Sequence, residues 1–469
     1  MNANSEQNIN PVLACIASHP NYKKIVNCSA ACQSLWVLFV TVAILELVGC
    51  GTTGQSKTTA WRFDQGIGTR ADGPQMLTLR GIGFDYPKGT RQNWWQANAG
   101  VDSFSRLDEI FSASVSPTSA PVQAWRRQAP ELTLTYQGAA ALGGGTKTLN
   151  DYFDRNPTTA MLIAQGDTLL LERYQYARQP EQRFTSFSMS KTIIAMLIGV
   201  ALNEGRIRSL DDLAQVYAPA LQGTEYGNTP LRHLLTMSSG VEFREEYDGR
   251  DDSARLTSAT IMGQSPGGAD LAKMFNRRIA EPGKRWSYAS AETFVLAVVL
   301  RQAVEQDIAS YFSEKIWKPL GAESEATWLI DAAGQEIGYM GFNATLRDYG
   351  RLGMLMAQMG AARGQQLVPA AWVKEMTKAH VLPIATKRWF GYGYQTWVFP
   401  ALDGTFAFQG VRGQVIFVDP SLQLVFVHLA ARPTARDPAG GADTVALWQA
   451  LKRSVAPLKS PLSQKIITF

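Results

Sequence analysis

The stretch Ser188-Met-Ser-Lys-Thr-Ile-Ile-Ala-Met-Leu-Ile-Gly-Val-Ala-Leu202 is apolar on nearly every face beyond its first few residues. A helix that is hydrophobic all round belongs inside a core, so this segment predicts a buried helix. A charged lysine in such a place needs a reason. Ser188-Met-Ser-Lys191 is the only Ser-x-x-Lys in the chain, and residues three apart on a helix share a face. At the start of the helix, unpaired N–H groups and the dipole favour negative charge developing on Ser188. Lys191, desolvated below its ordinary value of ~10.4, could accept the serine proton. The competing reading makes Ser188 a helix cap and Lys191 a snorkelling side chain.

Working outward, Ala160 to Tyr174 holds two apolar runs around Gly166-Asp167, the pattern of a hairpin. Residues 208 to 360 read mainly helical, with stops at Gly240, Pro282-Gly283 and Gly321. Beyond Gly391 the pattern returns to strands: Phe406-Ala-Phe, Gln414-Val-Ile-Phe-Val418 and Leu422 to His428, with turns at Gly410, Gly413 and Asp419-Pro420. A last amphipathic helix covers Ala442 to Ser454. Strands early and late with helices between imply an α/β (α+β) fold: one antiparallel sheet flanked by helices and split by a mainly helical insertion. Residues 60 to 150, rich in Gly, Pro, Ser and Gln, read as an irregular extension packed on that domain.

A second chemical element is Glu281-Pro-Gly-Lys-Arg-Trp-Ser-Tyr288-Ala-Ser290, ahead of another helix. A tyrosine beside a neutral lysine can shuttle a proton between nucleophile and leaving group. Tyr226-Gly-Asn228 imitates the pattern but sits among turn residues. Gly263-Gln-Ser265-Pro-Gly267 fits a nucleophile elbow, yet that elbow needs the N–H of the residue after the serine, and Pro266 has none. Gly143-Gly-Gly-Thr-Lys-Thr148 lacks the glycine of a phosphate loop before its lysine. His233 reads as a hydrogen-bonded core residue, Arg347-Asp348 as an ion pair, and Trp286 as a packing anchor or pocket wall.

Ser188-x-x-Lys191, Leu234-Leu-Thr-Met-Ser-Ser-Gly240, Pro282-Gly with Tyr288-x-Ser290, and Gly410-x-x-Gly-Gln-Val-Ile-Phe-Val-Asp-Pro420 follow one another in a single order. Together they resemble the serine β-lactamase-related superfamily of class C β-lactamases, D-alanyl-D-alanine carboxypeptidases and esterases, and within it the 6-aminohexanoate-dimer hydrolases. The resemblance spans roughly 150 to 455. It implies Ser188 as the acylated nucleophile, Lys191 as its activating partner and Tyr288 as the second-motif tyrosine, with Ser290 where many relatives carry Asn. Tyr247 matches a pocket tyrosine. The third motif, K-T-G, is replaced by Phe408-Gln409-Gly410. The backbone N–H groups of Ser188 and Val411 are then the expected oxyanion hole, at about 3–4 kcal/mol per donor.

Without the third-motif lysine, nothing obvious pairs with the carboxylate of a β-lactam or a peptide C-terminus unless Arg412 restores the charge. The expected substrate is therefore a small neutral-ended amide or ester, bound with help from Tyr247, Ser290, Gln409, Gly410 and Arg412. The alternatives are a carboxypeptidase or β-lactamase, and a silent protein that captures a cell-wall peptide.

Composition narrows the field in the same direction. Of 469 residues 45% are hydrophobic and 18% charged, which excludes wholesale disorder, and a net charge of +5 is no nucleic-acid footprint. The four histidines, His19, His233, His380 and His428, offer no metal-binding spacing, so no metal or other cofactor is expected. All four cysteines, Cys15, Cys28, Cys32 and Cys50, lie at the start, leaving a thiol-free body. The apolar run Leu35 to Val48 is too short to span a bilayer and fits a secretory core. It ends in Leu47-Val48-Gly49-Cys50, which resembles a lipobox. Residues 1–50 are thus expected to be a lipoprotein signal region, with Cys50 lipidated and the protein anchored to the membrane on the periplasmic side of the envelope, as an outer-membrane lipoprotein. Residues 51–150 are expected to form a tether and extension, 151–457 the hydrolase domain and 458–469 a tail.

Overall fold

The computed structural model describes residues 59–80, 86–119, 121–386, 389–401 and 403–455. The signal-region expectation, Cys50 and the tail lie outside these residues. Ten strands form the main sheet: β1 (Arg62–Asp64), β2 (Ile67–Thr69), β3 (Arg126–Arg127), β4 (Thr158–Gln165), β5 (Thr168–Tyr174), β6 (Gly391–Tyr392), β7 (Trp397–Val398), β8 (Phe406–Gln409), β9 (Val415–Asp419) and β10 (Leu424–Ala430). Their spatial order is β1-β2-β5-β4-β10-β9-β8-β7-β6, with β3 also beside β5. The early hairpin and the late strands therefore meet at β4 and β10, paired antiparallel from Leu424 opposite Gln165 to His428 opposite Met161.

These two strands read as continuous apolar runs because both their faces are covered. Ala160, Leu162 and Ala164 of β4 face one cluster, with Val425, Val427 and Leu429 of β10. Met161, Ile163, Leu424 and Phe426 face the other. The first cluster is built with α1 (Ser190–Asn203), α2 (Ser290–Val304) and α3 (Leu346–Ala357), the second with α4 (Pro438–Ser454). The helix expected over 188–202 is α1, and its residues from Ser190 to Ala201 are all buried. Ile193, Ile194, Met196, Leu197 and Ile198 each contribute about 1.5–3 kcal/mol by leaving water. Gly199 has a specific cause: a Cβ there would lie 2.0 Å from the Trp372 ring, whose Nε1 donates to Ala195 O at 2.9 Å.

Four sequence expectations need correction. Residues 60 to 150 are not merely irregular, since they supply β1, β2 and β3, and both β2 and β3 run parallel to β5. The sheet is thus mixed at that edge. A second, four-stranded antiparallel sheet joins Ala113–Ser116, Ala326–Leu329, Phe342–Ala344 and Phe184–Thr185 in that order, so the mainly helical insertion contains two strands. α4 begins at Pro438, capped by Asp437, rather than at Ala442. Arg347 and Asp348 do not pair with each other: Arg347 bonds Glu172 at 2.8 Å, and Asp348 bonds Arg351 at 2.9 Å.

Candidate active site

The second sheet leads into Ser188, the expected nucleophile. Thr185 pairs with Asn343, and the chain then turns through a tight 3-10 turn, Phe187–Met189, directly into α1. Ser188 thus sits one turn before the helix, and Phe187 adopts a left-handed φ of 42°. Such backbone is held only where surroundings enforce it, and it recurs at functional sites. Ser190, locked by a bond from its Oγ to Gly338 O of 2.7 Å, fixes the first turn against the Gly338 loop.

Lys191 is buried and uses three donors. Nζ donates to Tyr339 O at 2.8 Å, to Ser290 Oγ at 3.0 Å and to Ser188 Oγ at 3.2 Å. Burial pulls its pKa down from 10.5 to about 8, against the pull of the Glu245 carboxylate, which favours the charged form. The ammonium lies 5.3 Å from the Tyr288 ring centroid. Tyr288 also packs against the Trp397 ring, nearly parallel at 5.4 Å, and against Tyr392 edge-on at 6.1 Å. Ser188, Lys191 and Tyr288, 100 residues apart at their extremes, are brought together.

Behind Lys191 runs a polar chain that the sequence reading missed. Ser290 Oγ donates to Glu245 Oε1 at 2.9 Å, and Ser290 N donates to Glu245 Oε2 at 2.7 Å. Tyr247 OH donates to the same Oε1 at 2.7 Å. Glu245 is 6% exposed and satisfies the first N–H of α2, a position where a carboxylate also answers the helix dipole. A signal was available: Val241, Phe243 and Glu245 alternate with Glu242, Arg244 and Glu246, which places Glu245 on the apolar side. Ser290 is correspondingly not a wall of the substrate cavity. Its hydroxyl is spent between Lys191 and Glu245.

Ser188 opens on a cavity of about 580 Å³ lined also by Tyr247, Tyr288, Trp389, Phe390, Trp397, Gln409, Val411, Val415, Phe417 and Val445. Gly410 lines it too, at the end of β8, where a Cβ would lie 2.5 Å from Ser186 O. Only glycine lets the strand approach the Ser188 turn so closely. This close approach brings Val411 into the cavity wall alongside Ser188. Gln409 Nε2 is buried and has no hydrogen-bond partner among the described residues. Arg412, expected to face substrate, does not. Its φ of 63° turns the side chain away from the cavity, and its guanidinium donates to Trp95 O at 2.7 Å, Arg432 O at 3.2 Å and Pro433 O.

Two arginines do line the cavity, and both are paired. Arg436 bonds Glu246 at 2.8 Å, and Arg432 lies 3.6 Å from Asp437. A second, more polar cavity of about 940 Å³ shares Tyr288 and Arg436 with the first and adds Glu245, Lys284, Arg285 and Trp286. His428 is fully buried behind Gly413, to whose carbonyl its Nδ1 donates at 2.7 Å. Nδ1 must carry the proton there, and burial pushes the pKa down to about 3, so His428 is neutral and structural. His233 is half-buried beside Ser238, and Tyr226 is buried in its turn.

Comparison with known proteins places the chain as a whole. The family described as Beta-lactamase matches residues 147–449. A 6-aminohexanoate-dimer hydrolase of Paenarthrobacter ureafaciens is 25% identical over 356 residues, covering 73% of this chain and 88% of that protein. Among solved structures, a Bacillus anthracis protein named after the same hydrolase superposes with a TM-score of 0.68 at 23% identity, covering 77% of this chain and 96% of its own. EstCE1, a hydrolase with promiscuous acyltransferase activity, gives 0.52 at 20% identity, covering 63% and 94%.

Proposed function

The chain belongs to the beta-lactamase family of serine hydrolases, and on that premise we propose that it cleaves a linear amide or ester through an acyl-enzyme on Ser188. The observation that carries this reading is the buried Lys191, with Nζ 3.2 Å from Ser188 Oγ and a pKa drawn down to about 8. Its neutral form takes the serine proton as Oγ bonds the substrate carbonyl carbon. The oxyanion is received by the N–H groups of Ser188 and Val411, donors aimed at charge present only in the transition state. Tyr288, between the two cavities, hands a proton to the leaving amine or alcohol, and water then releases the acyl group by the reverse sequence.

The substrate class follows from the walls. The aromatic and aliphatic side chains about Ser188 suit an apolar acyl chain, and the orphaned Gln409 Nε2 suits a carbonyl on it. The more polar cavity beyond Tyr288 suits the leaving group. Phe408 stands where the third-motif lysine is expected, and Arg432 and Arg436 are already paired, which argues against recognition of a carboxylate beside the scissile bond. The name of the Paenarthrobacter relative supports a linear amide of short aminoacyl units.

The test is a panel: aryl esters of short acids, 6-aminohexanoate dimer, a D-alanyl-D-alanine peptide and a chromogenic cephalosporin, with a fluorophosphonate probe and mapping of its adduct. Turnover of the esters or the dimer is expected, with the adduct on Ser188. Rapid cephalosporin or D-alanyl peptide cleavage without the others overturns the substrate class, and a probe that leaves Ser188 unmodified overturns the mechanism.

We also propose that the enzyme is tethered to the outer membrane on its periplasmic side through a lipid on Cys50, a reading supported by the Leu47-Val48-Gly49-Cys50 run after an apolar segment. Metabolic labelling with a palmitate analogue is expected to mark the parent and not Cys50→Ala; equal labelling of both would refute it.

A further inference from the structure

Arg412, lost as a substrate contact, has another use. It follows Val411, one of the two oxyanion donors, and its side chain leaves the cavity to enter the N-terminal segment. There Nη2 donates to Trp95 O at 2.7 Å, and the guanidinium lies over the Trp95 ring at 4.5 Å. Its own backbone is tied to the loop after β10: Arg412 N donates to Ala435 O at 3.0 Å, and Arg432 N donates to Arg412 O at 3.1 Å. The other donor belongs to Ser188, whose predecessor Phe187 packs edge-on against the same Trp95 at 5.6 Å and against Phe104 at 5.0 Å. Both turns carry left-handed non-glycine residues, Phe187 and Arg412. Such backbone persists where neighbours over-determine it, and here one segment, through Trp95 and Phe104, supplies neighbours to both.

We propose that the segment carrying Trp95 and Phe104 is a positioning element of the oxyanion hole, setting the spacing of the Ser188 and Val411 N–H groups through Phe187 and Arg412. The inference rests on the acyl-enzyme reading above. It assigns a catalytic consequence to residues that lie outside the stretch matched to the family, touch no substrate and act only through others. A hole built from two separate turns needs a common reference if its donors are to converge on one oxygen, and the guanidinium links its own turn to Trp95, whose ring packs on Phe187 of the other. Planar, charged and able to donate to three carbonyls at once, arginine suits that bridge where lysine does not.

The experiment compares a p-nitrophenyl ester with its thionoester in the parent, Arg412→Asn and Trp95→Leu. Asparagine tolerates the left-handed backbone and removes the bridge; Trp95→Leu removes the ring yet leaves every bond of the Val411 turn, so it carries the test if Arg412→Asn does not fold. Each is expected to lower kcat for the ester by roughly 10- to 100-fold, short of the loss from deleting a donor, with KM held within about threefold. Sulfur is a poor hydrogen-bond acceptor, so the thionoester rate should fall much less and the ester-to-thionoester ratio should drop. Folded variants with kcat within about twofold of the parent, or equal losses on both substrates, overturn the proposal alone. A parent without turnover that depends on Ser188 overturns the acyl-enzyme reading and this inference with it.

Discussion

Ser188→Ala and Lys191→Met are each expected to lower kcat/KM for an aryl ester by about 10⁴-fold or more, and the double variant by no more than the worse of the two. Groups that act as a unit fail as a unit. Without Lys191 the serine hydroxyl must lose its proton to water, and without Ser188 the lysine has nothing to activate. Methionine is the informative replacement, because Nζ occupies a dry site bounded by Tyr339 O, Ser290 Oγ and Ser188 Oγ. An unbranched apolar chain fills that volume, whereas alanine would leave a void. It does strand the Tyr339 carbonyl and the two hydroxyls without a donor, at about 1–3 kcal/mol for a buried polar group, so thermal unfolding should be followed beside the kinetics. Losses that multiply in the double variant would show that the two residues do not share one step.

The two members of that pair are legible in the sequence because the information is local. Three residues of helix decide whether a serine and a lysine meet, and an apolar helix around a lysine marks the lysine as buried. Strands β4, β5, β8, β9 and β10 are legible for a related reason: each is long enough to show its apolar run. The short strands are not. β1, β2 and β3 have two or three residues each, too few for any period, and the partner of β2 and β3, β5, lies far along the chain. Arg412 misleads for a different reason. Its position beside the third motif is a fact of sequence, but its direction is set by a left-handed φ of 63° and by Trp95, 317 residues away. Glu245 falls between these cases: its burial can be read from the alternation around it, while its bonds to Ser290 span 45 residues and cannot.

Glu245→Gln separates the geometric from the electrostatic part of that residue's action, and the two push activity in opposite directions. Geometry first: the carboxylate accepts from Ser290 N, Ser290 Oγ and Tyr247 OH. An amide keeps one acceptor oxygen for the hydroxyls and turns an NH₂ toward Ser290 N, donor against donor. Ser290 is expected to shift, carrying Lys191 with it, and misplacement on the ångström scale costs about 100-fold in turnover. Electrostatics next: the negative charge of Glu245 is what raises the Lys191 pKa against the effect of burial. In the parent the active, neutral lysine accumulates as pH climbs through about 8, so kcat/KM should rise with pH below that point and level above it. Removing the carboxylate favours the neutral amine, so the midpoint of this limb moves to lower pH. The loss caused by Glu245→Gln is therefore expected to be greatest in the alkaline plateau and smaller near pH 6, where the variant keeps more neutral Lys191 than the parent does. Pre-steady-state acylation of an aryl ester between pH 5.5 and 9.5 measures both quantities at once. A plateau loss with the midpoint unmoved would leave Glu245 as a brace without electrostatic influence on Lys191. A midpoint moved upward would place the proton acceptor elsewhere than Lys191.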